Sequence, residues 1–572
     1  MGRNSGKVFK RVKKNRISRI NEGKKIISHI LDTSSSSKKI KVGISNQASS
    51  KGTSNSGFRL IDLDILANAI NSNCACATCG AKCLKLSEDE NQSSGVVCTL
   101  HIVCEKCKTD CSFMTSSSNS WIYDANMRLC YGMRCIGVGR EGTNLLCGIM
   151  NMPSPVSRYT DLNAKLLNVL ESVCKENLVT AVEEAVAASS FEIDRPTNST
   201  DLAVSCDGTW MKRGHTSQYG VDTGKVLDLQ VMSKYCAACS IRRKSEDPVE
   251  EEAFQTAHKL VCCRNYSGSS GGMEAAGMKL IFHRSLTKYG VRYTKYLGDG
   301  DSSAFKTVLE SQPYGPDCNI EKLECVGHIQ KRMGGRLLKL KKEMRGKKLA
   351  DGKTLGGQGR LTDKEIHNLQ IYYGKAIRGN KGNVKKMQQA VWATYYHKVS
   401  TDDNPHHGLC DVSWCGYKKS QIDGSHYHHK HSLPKEVMDV VRPTYKFLAD
   451  PDLLKKCTHG KTQNPNESFN RLIWIRCPKT AFVSSDVVKI GAYDACLVFN
   501  SGNIGRIKVL QGLGIEVGAF TLKILKSIDD KRINRSNSAM DNFQQKARQA
   551  RQLKRKAVEE IEEDENYGYG QH

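Results

Sequence analysis

No apolar run in the 572-residue chain reaches the roughly 18 residues that a membrane-spanning helix needs, so no span of that kind and no membrane partner are expected. The first 60 residues are polar and basic and lack the apolar segment of a secretory signal. The opening MGRNSG has Gly6 where a myristoylation site requires Ser or Thr. An intracellular protein is therefore expected. No repeat of solenoid period is present, which excludes a stacked array. Acid is scarce at the amino end, where residues 1–59 carry 15 Lys or Arg against only Glu22 and Asp32.

What is present points two ways. The length exceeds what one core needs, so several domains or large insertions are expected. The 86 Lys and Arg exceed the 59 Asp and Glu by 27, and such a surplus usually meets a polyanion, because basic side chains that neutralise phosphates release condensed counterions. Nucleic acid is the default partner. The 24 Cys cannot form a disulfide framework in a reducing compartment, which leaves metal ligation and plain burial.

Along the chain, residues 1–59 read as a basic, disordered arm. Within it KVFKRVKKNR, residues 7–16, suits a nuclear-import signal or a phosphate-contacting tail, so the nucleus is the expected location. Residues 60–150 form a Cys-rich, zinc-ribbon-like module. Residues 160–195 are a linking helix, with apolar residues at helical spacing from 162 to 188. Residues 198–330 begin an α/β core. Three short β-type runs (202–207, 217–222, 225–233) make a meander, followed by a helix at 272–288, a strand at 292–298, a helix at 302–311 and a strand at 321–327. A zinc knuckle, 234–265, interrupts that core. Residues 331–457 are a mainly helical insertion, 458–530 complete the core, and a charged tail occupies 531–572.

Cys76 and Cys79 form one Cys-x2-Cys knuckle and Cys104 and Cys107 another, 24 residues apart. Each knuckle offers two thiolates from one turn, and two knuckles suit a tetrahedral structural Zn²⁺. Cys74, Cys83, Cys98 and Cys111 lie near enough in sequence to compete. Cys236, Cys239, His258 and Cys262 suit a second closed site, with Cys263 as an alternative ligand. His407, Cys410 and Cys415 in HGLCDVSWC, with Cys457 or a nearby His, form a looser third candidate.

Three elements carry carboxylates that suit metal chemistry. Asp207 closes the apolar run LAVSCD, Asp299 and Asp301 follow the strand that ends YLG, and Glu467 lies just inside a helix opened by Pro465. Each alone is read equally well as a turn former or helix cap. Together they could converge at the carboxyl edges of neighbouring strands and hold two Mg²⁺ (or Mn²⁺) ions, which prefer hard oxygen ligands and can activate a nucleophilic oxygen and stabilise a leaving oxygen in phosphoryl transfer.

Over residues 60–480 the strings VSCDGTW, CAAC with HKLVC, NYSGSSGGMEAAG, KYLGDGDSS, ECVGHIQKR, HGLCDVSWC and TQNPNESFN resemble the Mutator-like element transposases, most closely their Phantom group in animals. The resemblance implies an RNase H-like fold and an Asp, Asp, Glu triad that cuts and joins DNA. Asp207 matches the first acid and Glu467 the last, while the middle one is Asp301, with Asp299 the alternative. Cys325 and His328 match the Cys-x2-His signature of the superfamily, with a supporting role at the site. Terminal inverted repeats and target DNA are the implied partners, and a homo-oligomer is implied because two DNA ends must meet. The competing expectation is a domesticated, zinc-dependent DNA-binding protein without catalysis.

Overall fold

A computed structural model describes residues 36, 39–40, 57–119, 122–189, 199–210, 214–220, 223–241, 247–259, 262–298, 303–479 and 482–540. The chain divides into two compact units, one drawn from Met1–Asn177 with Leu472–His572 and the other Leu178–Arg471. Most of the basic arm and residues 541–572 of the tail lie outside the described residues.

In the first unit Asp62 caps helix α1 (Leu63–Asn73), its carboxylate accepting the N–H groups of Asp64 and Ile65. Strands β1 (Leu84–Ser94), β2 (Val97–Cys104) and β3 (Asp110–Met114) form an antiparallel sheet with β2 in the middle. The β1–β2 turn holds Gly95 at φ +64°, and a Cβ there would lie 2.5 Å from Val156 Cγ1, so glycine is required twice over. Helices α2 (Asp124–Cys135), α3 (Arg140–Ile149) and α4 (Tyr159–Ala188) follow. Met127 from α2 and Leu162, Leu166 and Leu170 from the first half of α4 are core residues of this unit.

The second unit contains a five-stranded sheet. Strands β4 (Thr200–Trp210), β5 (Gly214–Gly220) and β6 (Val226–Val231) form an antiparallel meander. After helices α5 (Pro248–Lys259) and α6 (Met273–Tyr289), strand β7 (Val291–Gly298) pairs parallel with β4. Helix α7 (Ser303–Glu310) then leads to β8 (Glu321–Glu324), parallel with β7. The order across the sheet is β8-β7-β4-β5-β6. Parallel neighbours need crossovers, which α6 and α7 supply. As a result the carboxyl ends of β4, β7 and β8 share one edge, with Ser205 in register with Leu297.

Met278, Ile281 and Phe282 of α6 pack with Val204, Leu227 and Tyr293 in the core of this sheet, joined by Ala181, Val182 and Ala185 from the second half of α4. The same helix is pinned to β6 by Arg284, which donates to the buried Asp228 carboxylate at 2.7 and 2.9 Å.

The insertion has its own core. Helices α8 (Val326–Glu343), α9 (Asp363–Gly379), α10 (Val384–Val399), α11 (Gly416–Asp423) and α12 (Lys435–Leu448) follow one another, and Ile329, Met333, Tyr373, Val391 and Tyr445 are fully buried among them. Helix α13 (Asn464–Arg476) then returns to the sheet. Beyond it, α14 (Ser485–Ser501) and α15 (Ala519–Met540) belong to the first unit.

Three local expectations change. The run 321–327 stops being a strand at Glu324, because Cys325 is already the N-cap of α8. Residues 472–530 pack with the amino-terminal elements instead of completing the sheet unit. The charged stretch from Lys531 continues α15 to Met540: Asp529 accepts the N–H groups of Asn503 and Ile504, and Arg532 donates to the Val498 carbonyl near the end of α14, so these charges cap backbone instead of dangling in water.

The first unit is centred on a buried carboxylate. Asp494 accepts from Arg476 Nε at 2.5 Å, Arg506 Nη2 at 2.7 Å and Tyr131 Oη at 2.8 Å. Burial alone would raise its pKa, but the Arg506 and Arg476 guanidiniums hold the carboxyl well below the usual range. Its stabilising contribution is complete above the ordinary aspartate value near 4 and is lost as pH falls from there through the depressed native value. Asp494→Ala leaves two guanidiniums buried without their partner and should cost about 3–5 kcal/mol in denaturant unfolding at pH 7.

Candidate functional site

The carboxyl end of β4 is held by the start of α13 through side-chain amides. Gln463 Nε2 donates to the Cys206 carbonyl at 2.8 Å, Ser205 Oγ to Asn466 Oδ1 at 3.2 Å, and Asn470 Nδ2 to Asp207 Oδ2 at 2.8 Å. Asp207 is half-buried, and Glu467 is exposed in the first turn of α13. Glu467 precedes Asn470 by three residues, and residues three apart are neighbours on a helix surface. The turn carrying Glu467 is thereby brought to the strand carrying Asp207. Asp299 and Asp301, the candidates for the middle acid, lie outside the described residues.

Sequence reasoning gave no role to three amides and one further carboxylate here. Gln463 Oε1, Asn466 Nδ2 and Asn470 Oδ1 are buried and have no partner among the described residues. Glu274, in the first turn of α6, lies against Gly208, the residue after Asp207: a Cβ on Gly208 would sit 2.7 Å from Glu274 Cδ and 2.8 Å from Oε2. The signals were in view, since Glu274 belongs to NYSGSSGGMEAAG and Asn466 and Asn470 to NPNESFN. Only pairing across the fold gives them a place.

Cys325 is buried, and its Sγ accepts the Gln463 N–H at 3.3 Å, so it braces the residue that holds β4. His328 is half-buried one turn into α8, with its N–H on the Cys325 carbonyl.

Three Cys/His groups assemble. In the first, Cys76, Cys79, Cys104 and Cys107 present sulfurs all within 4.8 Å of one another. Cys76 to Cys107 is 3.5 Å and Cys79 to Cys104 is 3.6 Å, close to the roughly 3.8 Å tetrahedron edge implied by Zn–S bonds of about 2.3 Å. The knuckles share one turn geometry: Gly80 N–H bonds the Cys76 carbonyl and Lys108 N–H the Cys104 carbonyl, with φ of +68° and +61°. Bonds from the Thr109 hydroxyl and N–H bring the Cys107 thiol down to about 6, toward the thiolate that binds metal. Among the competing cysteines, Cys83 stays close, 3.7 Å from Cys104, whereas Cys98 is buried beside Thr115.

The second group is Cys236, Cys239, His258 and Cys262. His258 Nε2 lies 3.4 Å from Cys236 Sγ and 2.9 Å from Cys239 Sγ, and the Cys239–Cys262 distance is 3.6 Å. Burial opposes ionisation of Cys236, but N–H bonds from Cys239 and Cys263 bring its thiol to about 6. Thus Cys263 contributes through its backbone. Both donor sets, thiolate and imidazole, fit Zn²⁺.

The third group takes the second of the two alternatives left open for its fourth ligand, a nearby His. His407, Cys410 and Cys415 come together with His397, not with Cys457. Cys457 is fully buried in the hydrophobic core of the insertion, where burial pushes its thiol up to about 12. A His on the last turn of α10 supplies the fourth position instead.

The profile of the Mutator-like transposase family matches residues 57–415, spanning the first unit's cysteine group, Asp207 and the third group, and ending before α13. Among curated proteins, none matches the chain.

Gly208→Ala places a methyl against the far end of the flexible Glu274 side chain, which can shift aside, so stability in urea unfolding should fall by no more than about 1 kcal/mol. Cys104→Ser should lower the zinc content of the purified protein by one ion per chain, measured by elemental analysis.

Proposed function

The chain belongs to the Mutator-like transposase family, and from that premise we propose that Leu178–Arg471 is an RNase H-like core that cuts and joins DNA through Asp207, a middle acid at Asp301 or Asp299, and Glu467. The sheet order supports the fold: a three-stranded antiparallel meander extended by two parallel strands, with β4 central. The observation that carries the reading is the hydrogen bond from Asn470 to Asp207, which brings the helix of the last acid to the strand of the first. Asp299 and Asp301 directly follow β7, the parallel neighbour of β4. Helical residues 331–457 separate the last sheet strand from the Glu467 helix, as an insertion would.

Asp207, Glu467 and the middle acid are the residues that would hold two Mg²⁺ ions, hard cations suited to carboxylate oxygens. Metal bound there would lower the pKa of an attacking water or 3′-hydroxyl and stabilise the departing oxygen. In the first step a water oxygen bonds to phosphorus while the bond to the 3′-oxygen breaks, leaving a 5′-phosphate and a 3′-hydroxyl. In the second, that hydroxyl attacks a phosphodiester of the target and expels another 3′-oxygen. The Asn470 amide orients Asp207 by donating to one of its carboxylate oxygens. Cys325, through Gln463, steadies the β4 end, and His328 beside it is a supporting residue.

Phosphate contacts fall to the basic surplus and base contacts to the cysteine-rich module at the amino end. The same reading carries the Phantom-like affiliation, structural Zn²⁺, action in the nucleus, and assembly of more than one copy on paired terminal repeats.

Incubation with Mg²⁺ and duplex DNA carrying the inverted repeats that flank the encoding locus should yield cleavage. Asp207→Asn and Glu467→Gln should reduce it to background while leaving salt-sensitive DNA binding intact. Cleavage by either variant at the rate of the unaltered protein removes that acid from the site. Binding without cleavage by the unaltered protein favours the domesticated DNA-binding reading. Log affinity should fall linearly with log salt, at about 0.9 per phosphate contacted.

A further inference from the structure

We propose that His397, His407, Cys410 and Cys415 form a closed zinc site that fastens residues 400–415 to α10, with Asp402 and His429 acting behind it as positioning residues for the His407 ring. The four donor atoms lie within 4.8 Å of one another. His397 Nδ1 and His407 Nδ1 are 3.2 Å apart. Cys410 Sγ is 3.6 Å from the His407 nitrogen and 3.7 Å from that of His397, and Cys415 Sγ is 3.5 and 3.9 Å from the same atoms. Bonds of about 2.05 Å to nitrogen and 2.3 Å to sulfur around a tetrahedral ion give edges of about 3.4 Å between nitrogens and 3.6 Å from nitrogen to sulfur. The observed edges scatter about those values. His407, Cys410 and Cys415 are buried, so no position is left open to substrate, as in structural rather than catalytic zinc sites.

Proton placement around His407 gives an independent reason. Asp402 Oδ1 accepts both the His429 N–H, at 2.9 Å, and the His429 Nδ1 proton, at 2.6 Å. With its proton on Nδ1, His429 has a lone pair at Nε2, which faces His407 Nε2 at 2.8 Å and must therefore accept a proton from it. His407 is thus left with its Nδ1 lone pair aimed at His397 and the two thiols. A histidine ligand whose far nitrogen donates to a carboxylate-backed acceptor is the arrangement that fixes tautomer and orientation at metal centres.

The surroundings show why a metal is needed. The apolar cluster at this point consists of Ala393, Cys410 and Cys415, with Tyr417 beside it, and cannot order the loop by burial alone. Tyr417 stacks on His407 at 4.3 Å and Trp414 meets His397 edge-on at 5.3 Å, closing the group from solvent.

Elemental analysis of the full-length protein tests the ligands. Cys415→Ser should remove one zinc per chain relative to the unaltered protein, whatever the other two groups hold, whereas Cys74→Ser, an exposed cysteine outside all three groups, should remove none. An unchanged zinc content in Cys415→Ser overturns the site. The positioning pair is read by chelator competition: Asp402→Ala, on the exposed side of the loop, and His429→Phe, which keeps the ring but cannot accept a proton, should retain zinc yet weaken its binding about 10–100-fold. Binding as tight as in the unaltered protein overturns the role of Asp402 and His429.

Discussion

The fold of the Leu178–Arg471 unit depends on a row of amide hydrogen bonds across more than two hundred residues of chain. Gln463, Asn466 and Asn470 grip the carboxyl end of β4 at Cys206, Ser205 and Asp207. A buried amide that loses its partner costs more than the pair gains, so these bonds are strict about register even though each contributes modestly. They force the helix that follows the insertion back to the central strand. Without them the insertion, which has a core of its own, would have no reason to deliver α13 to one particular edge of the sheet.

Elsewhere the chain uses side-chain donors where apolar area is short. The amino-terminal sheet β1–β3 carries one Cys group at its turns, the β6–α6 connection carries a second group, and the loop after α10 carries a third. The first unit solves the opposite problem, a buried charge, by giving Asp494 two guanidiniums and a phenol.

The glycine after Asp207 and the amides of α13 show how the site is built by exclusion as well as attraction. Gly208 makes room for the Glu274 carboxylate of α6, which a side chain at that position would meet at 2.7 Å. Three amide atoms remain unpaired there among the described residues, which makes the β4 end a polar, unsatisfied patch.

Local order in this protein was legible from the sequence. The meander, the β7 and α6 periodicities and the Cys-x2-Cys turns follow from alternation, helical spacing and φ-permissive turn residues, all set by near neighbours. So were the first two ligand groups, because their members are paired within single turns. The fourth ligand of the third group was not, since His397 sits on a helix face ten residues from His407 and only packing decides that it, and not Cys457, points there. Likewise the charge count marked Lys531 as the start of a tail, but Arg532 is spent on the Val498 carbonyl of α14. Which carboxylates and amides meet Asp207, and with which unit residues 472–540 pack, rest on long-range contacts whose partners carry no periodic mark, and these only the tertiary structure decided.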